Sequence, residues 1–205
     1  MILLACATEP EFGPWMHRPN VEPLVTGVGP VEAACAIARS LALRRYELVI
    51  SAGIAGALDR AARIGEGVVV ADERYELTLE NGQPIVLPDG RQVAGKASSE
   101  PGLVGRLRDQ GFAALHGVTV SRVTSTEETA ERLARQGAQV ESMEGFAVLR
   151  AAERAGVPAI ELRGISNRVG RRDRSGWDFG AGVAGLSLVM HTFFELTGTA
   201  GGVPT

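Results

Sequence analysis

Five largely continuous apolar runs, bounded by glycine, proline or charged residues, divide this chain. They lie at Ile2–Ala7, Leu48–Ala52, Val68–Ala71, Val118–Val123 and Ala159–Ile165. Runs that do not alternate regularly between apolar and polar residues are typical of strands covered on both faces of a sheet. We therefore predict these five segments as the central strands.

Segments with a helical spacing of apolar residues lie between the predicted strands. They are predicted over residues 30–44, 125–136, 143–155 and about 181–196. Pro30 suits the first turn of a helix, and Ser125 with Glu128 has the spacing of a capping box. The last helix is apolar around most of its circumference, which predicts a deeply packed position.

This order of elements predicts an α/β fold with one domain, in which a central mixed, mostly parallel, twisted sheet is flanked by helices. Turn signals at Glu80-Asn-Gly82 and Pro88-Asp-Gly90 predict a small hairpin that projects from the sheet. We place the domain at residues 1–197 and expect residues 198–205, which are small and glycine-rich, to form a flexible tail.

Composition and charge narrow the class of protein. A chain of 205 residues is long enough for one well-buried domain, and its net charge of −3 gives no basic surface for nucleic acid. No window approaches the apolar length of a membrane span, and no positive region precedes Met1–Ala7 as in a signal peptide. We expect a cytoplasmic protein. Its cysteines and histidines have no metal-ligand spacing, so no metal site is expected.

Polar residues stand where several strands end. Glu11 follows the first strand, Arg163 and Asn167 belong to the last one, and Glu144 begins a predicted helix. Because the carboxyl ends of parallel strands meet at one edge of a sheet, we expect these side chains to face one ligand. Arg163 in an apolar strand also needs a partner, since an unpaired buried charge is costly. Taken singly, Glu11 is more commonly explained by a solvated loop, and Glu144 is also consistent with simple stabilisation by the helix dipole.

Two glycine-containing segments also follow strands. Ser51–Gly56 is rich in small residues, which either let a ligand approach the backbone at Ile54, Ala55 and Gly56 or simply form a turn, and both interpretations stay open. Gly27-Val-Gly29 is an incomplete dinucleotide-binding fingerprint, because its third glycine is missing. A tight turn is the favoured interpretation there, so no nicotinamide cofactor is expected.

Four motifs in order resemble the nucleoside phosphorylase and nucleosidase superfamily. They are Ala-Thr-x-x-Glu at 7–11, Ser-Ala-Gly-Ile-Ala-Gly at 51–56, Glu-Ser-Met-Glu-Gly-Phe-Ala at 141–147 and Arg-Gly-Ile-Ser-Asn at 163–167. The segment Ser166–Ser175 is similar to the futalosine hydrolase branch in particular. The resemblance covers nearly the whole chain, and it implies a three-layer phosphorylase/hydrolase-like fold, no cofactor and a homo-oligomer.

The resemblance implies a nucleosidase that cleaves the C1′–N9 bond of futalosine, releasing hypoxanthine and dehypoxanthine futalosine in the alternative menaquinone pathway. It assigns the attacking water to Glu11, with Arg163 fixing its surroundings. It assigns the ribose hydroxyls to Glu144, with Met143 packing against the sugar. The substrate is thus a small nucleoside, with neither nucleic acid nor membrane as a partner.

On the base side, the resemblance implies contacts from Asn167 and from the backbone at Val123, Thr124 and Ser125. Related methylthioadenosine nucleosidases have Asp where this chain has Asn167. An amide favours a 6-oxopurine, because it cannot act as an acid at neutral pH but can donate and accept hydrogen bonds. For the 5′ arm of the substrate the candidates are Phe12, Trp15, Arg174 and Trp177.

Three rival functions stay open at this point. The chain could be a methylthioadenosine/S-adenosylhomocysteine or aminodeoxyfutalosine nucleosidase, or a purine nucleoside phosphorylase. A third rival, from a different class, is a catalytically silent purine-binding protein on the same fold. Hydrolysis is favoured over phosphorolysis, since a carboxylate at position 11 repels phosphate but can orient and deprotonate water.

Overall fold

A computed structural model describes residues 1–58, 60–79, 81, 83–93, 95–170 and 176–198 of the chain. Within these residues the strands are β1 (Ile2–Cys6), β2 (Val21–Val25), β3 (Leu48–Ala57), β4 (Gly67–Tyr75), β5 (Lys96–Ser98), β6 (Ala113–Thr119), β7 (Val140–Ser142) and β8 (Ala159–Arg168). The helices are α1 (Pro30–Leu43), α2 (Pro101–Asp109), α3 (Glu127–Arg135), α4 (Gly145–Ala155) and α5 (Phe179–Leu196), with a 3₁₀ segment at Glu9–His17.

The strands form one mixed sheet in which most pairings are parallel. Strand β3 pairs in parallel with β1 and β8, while β4 pairs antiparallel with β8 and in parallel with β6. Strand β7 joins β6 in parallel and β3 antiparallel, so β3, β8, β4, β6 and β7 close a circuit. The predicted α/β fold with a mixed, mostly parallel sheet is confirmed.

Helices cover both faces of the sheet. Leu4 of β1 packs in a cluster with Met190 and Phe193 of α5, whereas its neighbour Leu3 packs with Ile37 of α1 and Ala152 of α4. Successive residues of a strand point to opposite faces, so neighbouring leucines serve two different cores. This is the physical basis of the three layers, and it explains why the strand sequences are apolar at nearly every position.

Helix α5 corrects one sequence-based expectation. It is long and apolar enough to cross a membrane by length and composition, with a mean hydropathy of 1.4. However, its residues Gly182 and Gly185 lie against the sheet so closely that a Cβ atom on Gly164 of β8 would meet the Gly182 carbonyl oxygen at 1.8 Å. Seven of its 18 residues are buried, among them Val189 and Phe194, so one face of α5 packs on the sheet. The predicted deeply packed position therefore holds for that face alone, since Leu188 is 58% exposed.

Several predicted boundaries were wrong. Strand β6 begins and ends earlier than predicted, so the residues around Val123 form a loop. Strand β3 continues through the segment 51–56, which was expected to be a loop. Helix α3 is capped by Thr126, whose hydroxyl accepts from the N–H of Thr129, rather than by Ser125. The short strands β5 and β7, helix α2 and the 3₁₀ segment were not predicted, and β2 was implied only as the strand before Gly27.

The predicted hairpin has partial support. Isolated antiparallel bridges join Thr78 to Pro84 and Val86 to Gln92. Glu80 and Gly82 of the first turn signal, and residues 199–205 of the predicted tail, lie outside the described residues.

Candidate active site

Glu11 lies buried in the 3₁₀ segment that follows β1. Its Oε2 accepts hydrogen bonds from the N–H and the hydroxyl of Thr8, both at 2.8 Å, and its Oε1 accepts from the N–H of Ile54 at 3.0 Å. These donors fix the orientation of the carboxylate. A carboxylate held in this way is suited to positioning a water and taking its proton.

The side chains of Arg163 and Glu11 both lie close to one glycine of β3. A Cβ atom on Gly53 would lie 2.5 Å from Arg163 Nη1 and 2.9 Å from Glu11 Oε1. Any side chain at this position would therefore push the two charged groups apart. Gly53 of segment 51–56 thus leaves room for the side chains of Glu11 and Arg163 beside the strand. This role differs from both interpretations of the sequence, which were ligand approach to the backbone and a simple turn.

The charge of Arg163 is balanced inside the protein. Its Nε donates to Glu161 Oε1 at 2.7 Å, and its Nη2 donates to Ser51 Oγ at 3.3 Å. Burial opposes the charged form of this arginine, but the charges of Glu161 and Glu144 outweigh burial and raise its pKa. Arg163 therefore stays protonated, as a buried ion pair requires.

Glu73 of β4 is a second buried acid, beside Glu161 and Arg163. The hydroxyl of Thr119 donates to its Oε2 and that of Ser142 to its Oε1, both at 3.0 Å. Burial and the negative charge of Glu161 raise the pKa of Glu73 well above its ordinary value. Glu73 therefore keeps its proton to a higher pH than an ordinary glutamate does.

Glu144 is buried at the N-terminus of α4. Its Oε1 accepts from the N–H of Gly29 at 2.8 Å, and Gly29 has a φ of 102°, which favours glycine. Burial raises the pKa of Glu144, while the charge of Arg163 and the Gly29 hydrogen bond oppose the rise. The turn before α1 therefore holds a site residue, which its sequence alone did not indicate.

The structure thus brings Glu11, Glu144 and Arg163 into one buried group, in which their charges act on one another. Met143 precedes Glu144 and packs against the cluster that contains Leu58 and Val118.

Asn167 lies at the end of β8. Its Oδ1 accepts from the hydroxyl of Ser166 at 2.9 Å, and its Nδ2 donates to the carbonyl oxygen of Arg168 at 2.9 Å. The amide lies over Gly56 of β3, where a Cβ atom would be 3.0 Å from Nδ2. Because the amide nitrogen carries two hydrogens, one donor is left for a ligand.

The loop predicted to border the base adjoins this position. Val123 and Ser125 are exposed, whereas Thr124 is buried and its N–H donates to Glu141 Oε1 at 3.1 Å. Glu141 lies on β7, whose pairing with Gly56 places it one strand away from the glycine under Asn167.

The candidates for the 5′ arm separate in the structure. Phe12 and Trp15 belong to the hydrophobic core, where the Trp15 ring stacks on Phe194 at a centroid distance of 4.9 Å. This corrects their assignment, because the 3₁₀ segment turns its apolar side chains onto α5. Trp177 is 55% exposed and bridges to Asn167, so it stays a candidate. Arg174 lies outside the described residues.

Sequence reasoning missed Glu161, Glu73 and the role of Gly29. Glu161 precedes Arg163 by two positions in a strand, so the period of two already put both on one face. Glu73 was missed because the predicted strand ended at Ala71. Among the described residues, no group of three His, Cys, Asp or Glu side chains could hold a metal ion.

Comparisons with known proteins show the superfamily and the fold of this chain. A model of the Phosphorylase superfamily matches residues 15–192. The 5′-methylthioadenosine/S-adenosylhomocysteine nucleosidase of Neisseria meningitidis, solved in complex with methylthio-immucillin-A, has the same fold, with a TM-score of 0.80. The alignment covers 95% of this chain and 98% of that one at 16% identity.

Curated relatives then narrow the class. A futalosine hydrolase of Acidothermus cellulolyticus is 42% identical over 88% of this chain and 76% of its own length. A futalosine hydrolase of Thermus thermophilus is 35% identical over 86% of this chain and 82% of its own length. This chain therefore belongs to the phosphorylase superfamily and, within it, to the futalosine hydrolase family.

Proposed function

We propose that this enzyme hydrolyses the C1′–N9 bond of futalosine and releases hypoxanthine and dehypoxanthine futalosine. The observation that carries the proposal is the buried group of Glu11, Glu144 and Arg163, with the amide of Asn167 at the end of the same strand as Arg163. The similarity to futalosine hydrolases over most of the chain supports the substrate.

In the proposed reaction, the C1′–N9 bond breaks first, and its electron pair moves into the purine. The ribosyl group becomes an oxocarbenium-like cation, as in glycoside cleavage. The second hydrogen of Asn167 Nδ2 donates to N7 and stabilises the departing base, a contribution of about 3 kcal/mol. The base then takes a proton from solvent.

Water completes the reaction at C1′. Glu11 accepts a hydrogen bond from this water and takes its proton as the new C–O bond forms. Glu144 accepts hydrogen bonds from the ribose 2′- and 3′-hydroxyls, and Met143 packs against the sugar. Arg163 supplies a positive charge near Glu11. Because its Nε already donates to Glu161, Glu11 stays available to accept the proton of the water.

The same contacts favour hydrolysis over phosphorolysis. A carboxylate at the position of Glu11 repels a phosphate dianion. The guanidinium beside it is committed to Glu161 and Ser51, so its charge does not offset that repulsion. Water, which is neutral and can donate a hydrogen bond, suits the site better.

We also infer that the product is hypoxanthine rather than adenine, because Asn167 stands where the related nucleosidases have an acid. The enzyme would then serve the alternative menaquinone pathway in the cytoplasm. By resemblance to its superfamily it would act as a homo-oligomer, and sedimentation of the purified protein measures its assembly directly.

One experiment separates the candidate functions. Futalosine, its 6-amino counterpart aminodeoxyfutalosine, inosine and methylthioadenosine are incubated with the enzyme in phosphate-free buffer, and released bases are quantified. We expect hypoxanthine release from futalosine to be fastest. Faster release of adenine from methylthioadenosine would support the nucleosidase rival, and a strict need for added phosphate would support a phosphorylase. No release from any substrate would support a silent purine-binding protein.

A further inference from the structure

Glu141 is a buried acid that the proposed reaction does not use. Its side chain belongs to a residue only 8% exposed, and one carboxyl oxygen accepts the N–H of Thr124. The other oxygen, Oε2, is buried and has no hydrogen-bond partner among the described residues. A buried acceptor without a donor is energetically costly, so its presence in a native fold requires an explanation.

The strand register places Glu141 beside the proposed base site. Gly56 of β3 pairs with Asn167 of β8 on one side and with Glu141 of β7 on the other. Residues that pair across strands project to the same face of a sheet. Asn167 and Glu141 therefore project from one face, about 10 Å apart at their Cα atoms, with only a glycine between them.

The surroundings of Glu141 keep its carboxyl group short of donors. Burial raises its pKa, and the hydrogen bonds from Thr124 only partly oppose the rise. Of the charged groups that act on it, Glu76 raises the pKa further, and Glu76 is itself paired with Arg132 of α3. A ligand N–H directed at Oε2 would supply the missing donor.

We propose that Glu141 reads the base, by accepting a hydrogen bond from N1–H of a 6-oxopurine at Oε2. This inference rests on the proposed function, and in particular on Asn167 binding N7. In a purine, N7 and N1 lie at opposite ends of the edge that carries the 6-substituent. A base that meets Asn167 at N7 therefore presents N1 towards the next side chain of the row.

This contact discriminates between the two classes of purine. A 6-oxopurine carries a hydrogen on N1, whereas a 6-aminopurine has a lone pair there. A lone pair facing a carboxylate oxygen leaves two acceptors in contact, which a buried site penalises strongly. Glu141 would thus set the base preference together with Asn167.

The substitution Glu141→Gln tests the proposal. The Thr124 N–H needs an acceptor, so the amide oxygen would turn towards it and the NH₂ group would face the base. That NH₂ opposes N1–H of a 6-oxopurine but can donate to N1 of a 6-aminopurine. We expect the ratio of kcat/KM for futalosine to that for its 6-amino counterpart to fall about 10- to 100-fold.

The matched control is Glu100→Gln. Glu100 accepts two backbone N–H groups at the start of α2, as Glu141 accepts one from Thr124. We expect this control to keep the wild-type substrate ratio. If Glu141→Gln also keeps the wild-type ratio to within about twofold while remaining folded, Glu141 does not read the base.

A second measurement uses the wild-type protein alone and stays informative if Glu141→Gln does not fold. Only the carboxylate form accepts from N1–H, so hypoxanthine should bind more tightly as the pH rises through the raised pKa of Glu141. Adenine should not show this increase. Parallel pH profiles for the two bases in titration calorimetry would overturn the proposal. Because calorimetry needs no turnover, this result is separable from a failure to hydrolyse futalosine.

Discussion

The sugar side and the base side of the site are built differently. On the sugar side, Glu11 and Arg163 are held by several hydrogen bonds each, and their partners come from strands and from the segment after β1. On the base side, Asn167 ends a strand, Thr124 lies in a loop, and Glu141 has an unpaired oxygen. Glu11 thus accepts three hydrogen bonds without a ligand, whereas one carboxyl oxygen of Glu141 has no partner among the described residues. In the sugar-side group the same is true of Glu161 Oε2, beside Arg163.

This difference matches two different requirements, activation of water and recognition of the base. Activating water requires charges fixed before the substrate arrives, since any reorganisation during the reaction raises the barrier. Recognising a base requires polar atoms that the correct ligand satisfies and the wrong ligand leaves unpaired. We therefore assign the unpaired oxygen of Glu141 to base recognition and the hydrogen-bonded carboxylate of Glu11 to water activation, as proposed above.

The strongest test of the sugar side is Glu11→Gln. The amide keeps the shape of the side chain but cannot take a proton, so we expect kcat to fall about 10³-fold. Binding of hypoxanthine, measured by calorimetry, should change little. Glu9→Gln on the same 3₁₀ segment is the control, because Glu9 is exposed and should tolerate the change. A Glu11→Gln enzyme within tenfold of wild type would remove the carboxylate from the mechanism.

A smaller effect is expected from Gly53→Ala. The added methyl group would lie 2.5 Å from Arg163 Nη1 and 2.9 Å from Glu11 Oε1, so one of these groups must move. Displacement by about 1 Å in an active site lowers the rate by about 10²-fold. Gly105→Ala on α2 is the matched control, since its methyl group would meet no atom within 4 Å. Equal activity of the two alanine variants would mean that the close approach over Gly53 is not needed.

The smallest effect concerns stability rather than rate. Because the pKa of Glu73 is raised above its ordinary value of 4.5, the folded state holds this proton more tightly than the unfolded chain does. The resulting stabilisation is complete below about pH 4.5 and is lost as the pH rises through the raised pKa. Glu73→Gln cannot titrate, so its free energy of unfolding should decline less between acidic and neutral pH. Denaturant unfolding across this range measures the effect, and identical declines in both proteins would exclude a titrating Glu73.

Much of the site could be predicted because its chemistry is unusual for its position. Arg163 stands out in an apolar strand, and Glu11 and Asn167 stand out where strands end. The partners of Arg163 were harder to find, since Glu161 looks like an interruption and Glu73 lies beyond the predicted end of β4. Phe12 and Trp15 show the opposite problem. Their aromatic side chains suit either a pocket or a core, and only the turn of the 3₁₀ segment onto α5 decides the question.

The fold, like the site, could be predicted only in part from the sequence. Long apolar strands and amphipathic helices are visible in the pattern, whereas β5 and β7 have three residues each and carry too little periodicity to be recognised. The row formed by Asn167, Gly56 and Glu141 depends on strand register. Because that register joins residues far apart in the chain, the local pattern does not contain it.

The central claim is that Glu11 directs water, and not phosphate, to C1′ of a 6-oxopurine nucleoside. Its most direct test is the reaction of futalosine in ¹⁸O-labelled water with excess unlabelled phosphate, followed by mass spectrometry of the early products. The account predicts unlabelled hypoxanthine and a free sugar product with one ¹⁸O atom at C1′, at a rate independent of phosphate. A ribosyl phosphate product, or a labelled sugar that Glu11→Gln forms at the wild-type rate, would contradict it.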